Sequence, residues 1–115
     1  TDVSKIPSHI GQLVRMCEKA EKSETMFNIL TSIRSKEVNA RQKTLCIIFF
    51  DQIKTLQNVY KRMVREGIGA QCAEFHGQLS QAVRQRTLAN FRCGKITTLL
   101  ATDIVARGIH VNNVE

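Results

Sequence analysis

The sequence LLATDIVARGIH, residues 99–110, changes from apolar to polar at Thr102. The apolar run begins at Ile96, and it predicts a buried strand of a parallel sheet over residues 96–101. A hydroxyl, a carboxylate, a guanidinium and a glycine follow within residues 102–108. Because open α/β sheets bind ligands at the carboxyl ends of their strands, this segment is the first candidate for a functional site. The alternative is a strand that ends in an ordinary polar loop.

Three upstream segments also have the composition of strands. Residues 10–17 are nearly apolar on both sides, residues 45–50 form a continuous apolar run, and residues 70–75 form a short one. Runs of this length are typical of strands rather than of buried helices.

The segments between these strands have helical patterns. Ser23 and Ser80 are candidate N-caps, a second helix can begin near Asp51, and Gly67 and Gly94 are placed to end helices. The apolar positions expected to face the core are Met26, Ile29, Leu30 and Ile33 in the first helix, Ile53, Leu56, Val59, Tyr60, Met63 and Val64 in the second, and Val83, Leu88 and Phe91 in the third. The order β-α-β-α-β-α-β predicts an α/β fold, a parallel sheet with helices on both faces.

Composition limits the class of protein. A chain of 115 residues with 43% apolar residues predicts one globular domain, and a net charge of +7 favours an anionic partner such as nucleic acid. The four cysteines form no C-x-x-C pair and the three histidines have no ligand spacing, so we expect neither a zinc site nor disulfides. We find no signal-peptide pattern and no apolar run near the ~18 residues that span a membrane, and so expect an intracellular protein.

The predicted carboxyl ends of the strands collect groups that suit a phosphate. Gly77 and Gly108 lack a Cβ and would let a ligand approach the backbone, and the helix that starts after Ser80 favours an anion at its amino end. Arg84 lies in the first turn of that helix, and Thr102 ends the fourth strand. Each also has a plain structural interpretation, as a turn, a cap or a solvated side chain.

Four segments carry a family resemblance: IIFF at 47–50, HGQLSQAVR at 76–84, FRCGK at 91–95 and ATDIVARGI at 101–109. They resemble the carboxyl-terminal RecA-like domain of DEAD-box RNA helicases, with residues 47–50 similar to its motif IV, residues 81–84 to its Q-x-x-R motif and residues 102–108 to its motif V. The motifs stand in the family's order and spacing, and the resemblance runs from about residue 10 to the end. It implies a three-layer RecA-like domain that forms part of an ATP-dependent RNA helicase.

The resemblance also implies roles for particular residues. The positions expected to contact RNA are Gly77, Arg84 and Thr102. The positions expected at the cleft toward the other RecA-like domain, where ATP binds, are Arg107, Gly108 and His110. The implied partners are RNA and the first RecA-like domain of the same chain. We expect a monomer without membrane association, in the cytoplasm or the nucleus.

Three departures qualify the resemblance. His110 stands where the family usually has an aspartate that accepts hydrogen bonds from the ribose, and Gln52 and Ile53 replace a usual Thr-Lys or Thr-Arg pair. The sequence ends at Glu115, before motif VI, and contains neither a G-x-x-x-x-G-K-[ST] loop nor Asp-Glu-Ala-Asp. We therefore expect no catalytic or metal-binding residue in this chain, with ATP and Mg²⁺ bound mainly by the first domain. By itself the chain is predicted to be inactive.

Two other functions stay open at this point. A superfamily-two helicase acting on DNA would use the same kind of backbone contact, and only contact with the 2′-hydroxyl distinguishes the two substrates. A non-catalytic RNA- or protein-binding module could also keep this fold, and the substitution at His110 leaves that alternative open.

Overall fold

The chain alternates strands and helices, as the sequence predicts. A computed structural model describes residues 10–17, 23–36 and 43–102, with side-chain surroundings for 27–36 and 43–102. The strands are β1 (Ile10–Cys17), β2 (Lys43–Phe50), β3 (Cys72–Phe75) and β4 (Thr98–Thr102), and the helices are α1 (Ser23–Lys36), α2 (Ile53–Arg65) and α3 (Gln81–Arg92).

The four strands form one parallel sheet in the order β1-β2-β4-β3. β2 and β4 are its central strands, and every residue of β4 is buried. A strand that is covered on both faces needs apolar residues on both faces, which explains the continuous apolar runs of these two segments. The predicted α/β parallel sheet is confirmed.

The two faces of the sheet carry separate cores. One core, under α1 and α2, contains Phe27, Leu30, Cys46, Ile48, Phe50, Leu56, Val59, Met63 and Leu100. The other, under α3, contains Leu45, Ile47, Phe75, Phe91, Leu99 and Ala101. Alternate residues of β2 therefore point to opposite cores, as the pleat of a strand requires. Helices cover both faces, so the predicted three-layer arrangement is also confirmed.

The predicted helix ends at Ser80, Gly67 and Gly94 match the structure, whereas Ser23, predicted as an N-cap, is the first residue of α1. The Ser80 hydroxyl accepts a hydrogen bond from the Val83 N–H at 3.2 Å and caps α3. Gly67 and Gly94 follow the ends of α2 and α3 with φ values of 80° and 86°, a backbone conformation that side chains with a Cβ disfavour. α2 begins at Ile53 rather than at Asp51.

Two apolar positions assigned to the core are wrong. Ile29 is 42% exposed and Val64 is 54% exposed, whereas Phe27 is buried in α1. Each of these two residues is directly next to a buried residue of its helix. One residue step turns a helix by about 100°, so Ile29 and Val64 point away from the sheet. β3 and β4 also begin two residues later than predicted, at Cys72 and Thr98.

Candidate functional site

The strand register brings distant polar segments to one edge of the sheet. Phe50 of β2 lies beside Thr102 of β4, and Phe75 of β3 lies beside Ala101, so the residue after Phe75 reaches the level of Thr102. We call this edge the carboxyl rim and define it as residues 51–52, 76–84 and 102. It is the arrangement that parallel strands use to present a ligand site.

The segment after β3 forms a tight turn on the carboxyl rim. The Leu79 N–H donates to the His76 carbonyl at 3.2 Å, which closes the turn around Gly77 and Gln78. Both turn residues are exposed. His76 itself is only 2% exposed; its Nε2 lies 2.9 Å from Glu74 Oε1, and its Nδ1 lies 3.3 Å from the Gln78 nitrogen. The rim therefore presents Gly77 and Gln78 to solvent, while the Gln78 N–H is bonded to His76.

The first turn of α3 adds a guanidinium to the carboxyl rim. Arg84 is half-buried, and one of its terminal nitrogens donates to Gln81 Oε1 at 3.0 Å. No acidic residue occurs in this turn of the helix. The amino end of a helix already favours anions, and the orienting amide of Gln81 holds the guanidinium beside it. This end of α3 suits a phosphate group chemically.

The three positions expected to contact RNA differ in exposure. Gly77 is exposed and Arg84 is half-buried, whereas Thr102, the last residue of β4, is 7% exposed. Thr102 lies at the strand end that the sequence predicts, but offers little surface to a ligand, so its contact with RNA stays a prediction. The expected cleft residues Arg107, Gly108 and His110 lie outside the described residues.

The hydrogen bonds of His76 were missed by sequence reasoning, although a signal for them exists. Glu74 and His76 are two residues apart at the end of a strand, and such residues lie on the same face. An acidic residue and a histidine at that spacing can therefore pair. Asp51 and Gln52 are also exposed on the carboxyl rim. Because Asp51 is a carboxylate, a bound anion is favoured at the β3 and α3 side of the rim rather than beside β2.

A second polar cluster, also missed by sequence reasoning, lies at the opposite edge of the sheet. The Arg34 guanidinium donates to the Thr44 carbonyl at 2.9 Å, to the Thr97 carbonyl at 3.0 Å and to the Thr98 hydroxyl at 2.8 Å. It lines a cavity of about 540 Å³ together with residues of the α2–β3 connection such as Ile68. These bonds tie the last turn of α1 to the starts of β2 and β4, a structural role.

Two features that bear on function are absent from the part of the chain that the structure describes. Within residues 10–17, 23–36 and 43–102, no group of three or more histidines, cysteines or acidic residues could hold a metal ion. None of the helices in these ranges has the length and apolar character needed to cross a bilayer.

Comparison with known families and curated proteins gives a consistent result. Residues 18–115 match the family described as the helicase conserved C-terminal domain. The chain is 32% identical over 111 residues to the ATP-dependent RNA helicase DBP2 of Encephalitozoon cuniculi, covering 96% of this chain and 20% of that protein. It is 33% identical over 107 residues to the probable ATP-dependent RNA helicase DDX17 of Homo sapiens, covering 93% of this chain and 14% of that protein. The chain thus spans a fifth or less of the length of these relatives.

Solved structures give the same result for the fold. The structure described as Mss116p DEAD-box helicase domain 2 bound to an RNA duplex aligns with 92% of this chain, at a TM-score of 0.63 and 27% identity, over 41% of its own length. The C-terminal domain of the DEAD-box protein Dbp5 aligns with 88%, at a TM-score of 0.58 and 27% identity, over 51% of its own length.

Proposed function

Because the chain belongs to the family of helicase conserved C-terminal domains, and within it resembles the second RecA-like domain of DEAD-box proteins, we propose that it is part of an ATP-dependent RNA helicase. In this role it binds one RNA strand through the sugar–phosphate backbone and forms one wall of an ATP cleft. The parent protein would unwind short duplexes or remodel RNA–protein complexes. The observation that carries the proposal is the carboxyl rim, which presents an exposed backbone turn beside Arg84 and the start of α3.

The groups on the carboxyl rim suit recognition of backbone rather than of bases. The exposed backbone at Gly77, the amino end of α3 and the Arg84 guanidinium are donors that match phosphate oxygens. Such contacts give affinity without sequence readout. The net charge of +7 would add a salt-dependent attraction to any RNA.

The nucleotide side of the proposal rests on the relatives, which are named ATP-dependent. The residues expected at the cleft are Arg107, Gly108 and His110, outside the described residues. We propose that the phosphate loop and the Mg²⁺ site belong to a first RecA-like domain, which is then the partner of this one. ATP supplies the free energy that drives closure of the two domains. In the closed state the carboxyl rim holds one strand in a shape that a duplex cannot keep, so base pairs are lost.

Of the two alternatives, a DNA helicase is not favoured, since the curated relatives are named RNA helicases. ATP hydrolysis distinguishes a helicase from a non-catalytic binding module. The test is ATP hydrolysis by the full-length protein, with single-stranded RNA and with DNA of the same sequence. We expect stimulation by RNA and much less by DNA, because 2′-hydroxyl contacts distinguish the two. Equal stimulation by DNA would favour the DNA helicase, and RNA binding without hydrolysis would favour the binding module.

A further inference from the structure

His76 is a buried polar residue with partners on both ring nitrogens. The Gln78 N–H donates to Nδ1 at 3.3 Å, so Nδ1 carries the lone pair. In the neutral ring the hydrogen is then on Nε2, which lies 2.9 Å from Glu74 Oε1. A carboxylate oxygen is an acceptor, so both bonds are satisfied by the same tautomer. The hydrogen-bond network thus assigns the Nε2–H form of His76.

We propose that His76 is a positioning residue for RNA: its Nδ1 holds the Gln78 amide and, through it, the exposed turn that would contact the strand. This inference rests on the proposed function. The backbone bond that closes the turn, from the Leu79 N–H to the His76 carbonyl, is 3.2 Å long. A second restraint from the ring reduces the freedom of Gly77, which has no side chain to limit its backbone. A turn that is already ordered loses less entropy when RNA binds.

Glu74 is the residue that makes this arrangement specific. The Glu74 side chain is 23% exposed, and it lies on the same face of the chain as the His76 ring. By accepting from Nε2 it selects the tautomer in which Nδ1 is free to accept from Gln78. An apolar side chain at position 76 would fill the same buried space, but could not hold the Gln78 amide.

Two substitutions separate the roles of the ring nitrogens. The amide oxygen of an asparagine lies as many bonds from Cβ as Nδ1 does, whereas the amide nitrogen of a glutamine lies as many bonds from Cβ as Nε2 does. His76→Asn therefore keeps the acceptor for the Gln78 amide and loses the bond to Glu74. His76→Gln keeps the donor to Glu74 and loses the acceptor. Both remove the imidazole ring, so a purely structural role predicts similar losses in the two variants.

The measurement is RNA affinity of the full-length protein with each variant. We expect His76→Gln to weaken binding about fivefold, the effect of losing one hydrogen bond, and His76→Asn to stay within about twofold of the wild type. If the wild type binds RNA and the two variants lose affinity equally, the positioning role is wrong while the proposed function stands. If the wild type does not bind RNA, both are wrong.

An NMR measurement tests the assignment independently of RNA. In the wild-type protein near neutral pH, the ¹⁵N shifts of His76 are expected to show an unprotonated Nδ1 and a protonated Nε2. The Gln78 amide resonance should move in His76→Gln and much less in His76→Asn. A protonated Nδ1 would overturn the inference, because that nitrogen could then not accept from Gln78.

Discussion

Replacing Arg34 by methionine is predicted to destabilise the fold, although Arg34 is remote from the proposed RNA site. Methionine keeps an unbranched side chain of similar packing and removes only the guanidinium. Three bonds to oxygen are lost, those to the Thr44 carbonyl at 2.9 Å, the Thr97 carbonyl at 3.0 Å and the Thr98 hydroxyl at 2.8 Å, together with a weaker bond to the Cys46 sulfur at 3.8 Å. They connect α1 to two neighbouring strands.

The expected loss is smaller than the sum of three bonds. Hydrogen bonds to charged groups contribute about 1.5–3 kcal/mol each, so simple addition would give roughly 5–9 kcal/mol. The Thr97 carbonyl also accepts from the Cys46 N–H at 2.8 Å, and so keeps a partner in the variant. The Thr98 hydroxyl can rotate toward another acceptor. We therefore expect Arg34→Met to reduce the free energy of unfolding by about 2–4 kcal/mol.

Urea unfolding monitored by circular dichroism measures this loss as a lower midpoint with an unchanged m-value. Arg34→Lys keeps the charge but cannot span three acceptors, and should lie between the wild type and Arg34→Met. Arg65→Met, at an exposed position, is the matched control and should change the free energy by less than about 0.5 kcal/mol. If Arg34→Met unfolds at the same urea concentration as this control, the guanidinium does not stabilise the fold.

Two further predictions concern single contacts. Ser80→Ala removes the acceptor of the Val83 N–H and should reduce the free energy of unfolding by about 1 kcal/mol. Ser80→Asp keeps an acceptor and should not reduce it. Equal urea midpoints for the two variants would contradict the role of Ser80 as a cap. Burial raises the pKa of the Cys72 thiol above its ordinary value of 9.0, against smaller opposing effects of the Thr98 hydrogen bond and the Arg34 charge. The folded state then holds this proton more tightly than the unfolded state. The contribution of the protonated thiol to stability is therefore fully present below about pH 9 and is lost as the pH rises through the folded pKa. Cys72→Ala should flatten the fall in urea midpoint between about pH 8 and pH 10, and parallel profiles for variant and wild type would contradict this.

The elements of the fold were predictable because each has a local cause. β2 and β4 are continuous apolar runs, Ser80 caps α3, and Gly67 ends α2. The strand order β1-β2-β4-β3 has no such local cause, since alternation of strands and helices is compatible with several orders. Val64 is exposed because it lies one residue, about 100° around the helix, from a buried position. An apolar stripe in the sequence does not specify the buried face of a helix to within one residue.

The candidate site was predicted in part. Its position followed from the rule that strand ends share an edge, and Gly77, Arg84 and Thr102 lie in the segments that were expected there. The low exposure of Thr102 was not visible in the sequence, because it depends on how the strand end is covered. The hydrogen bonds of Arg34 join residues that are distant in the sequence, so no spacing rule specifies its partners. The pair of Glu74 and His76 does have a signal, because residues two apart at the end of a strand share a face.

The most direct test of the account compares RNA binding by Arg84→Gln and Arg65→Gln in the full-length protein as salt is varied. The two changes remove the same charge, but Arg84 lies at the start of α3 on the carboxyl rim, and Arg65 ends α2 at an exposed position. We predict that Arg84→Gln weakens binding to single-stranded RNA about tenfold and lowers the salt slope by about 0.7, the effect of one phosphate contact. Arg65→Gln should change affinity by less than about twofold. Equal effects of the two substitutions would show that RNA does not bind at the carboxyl rim.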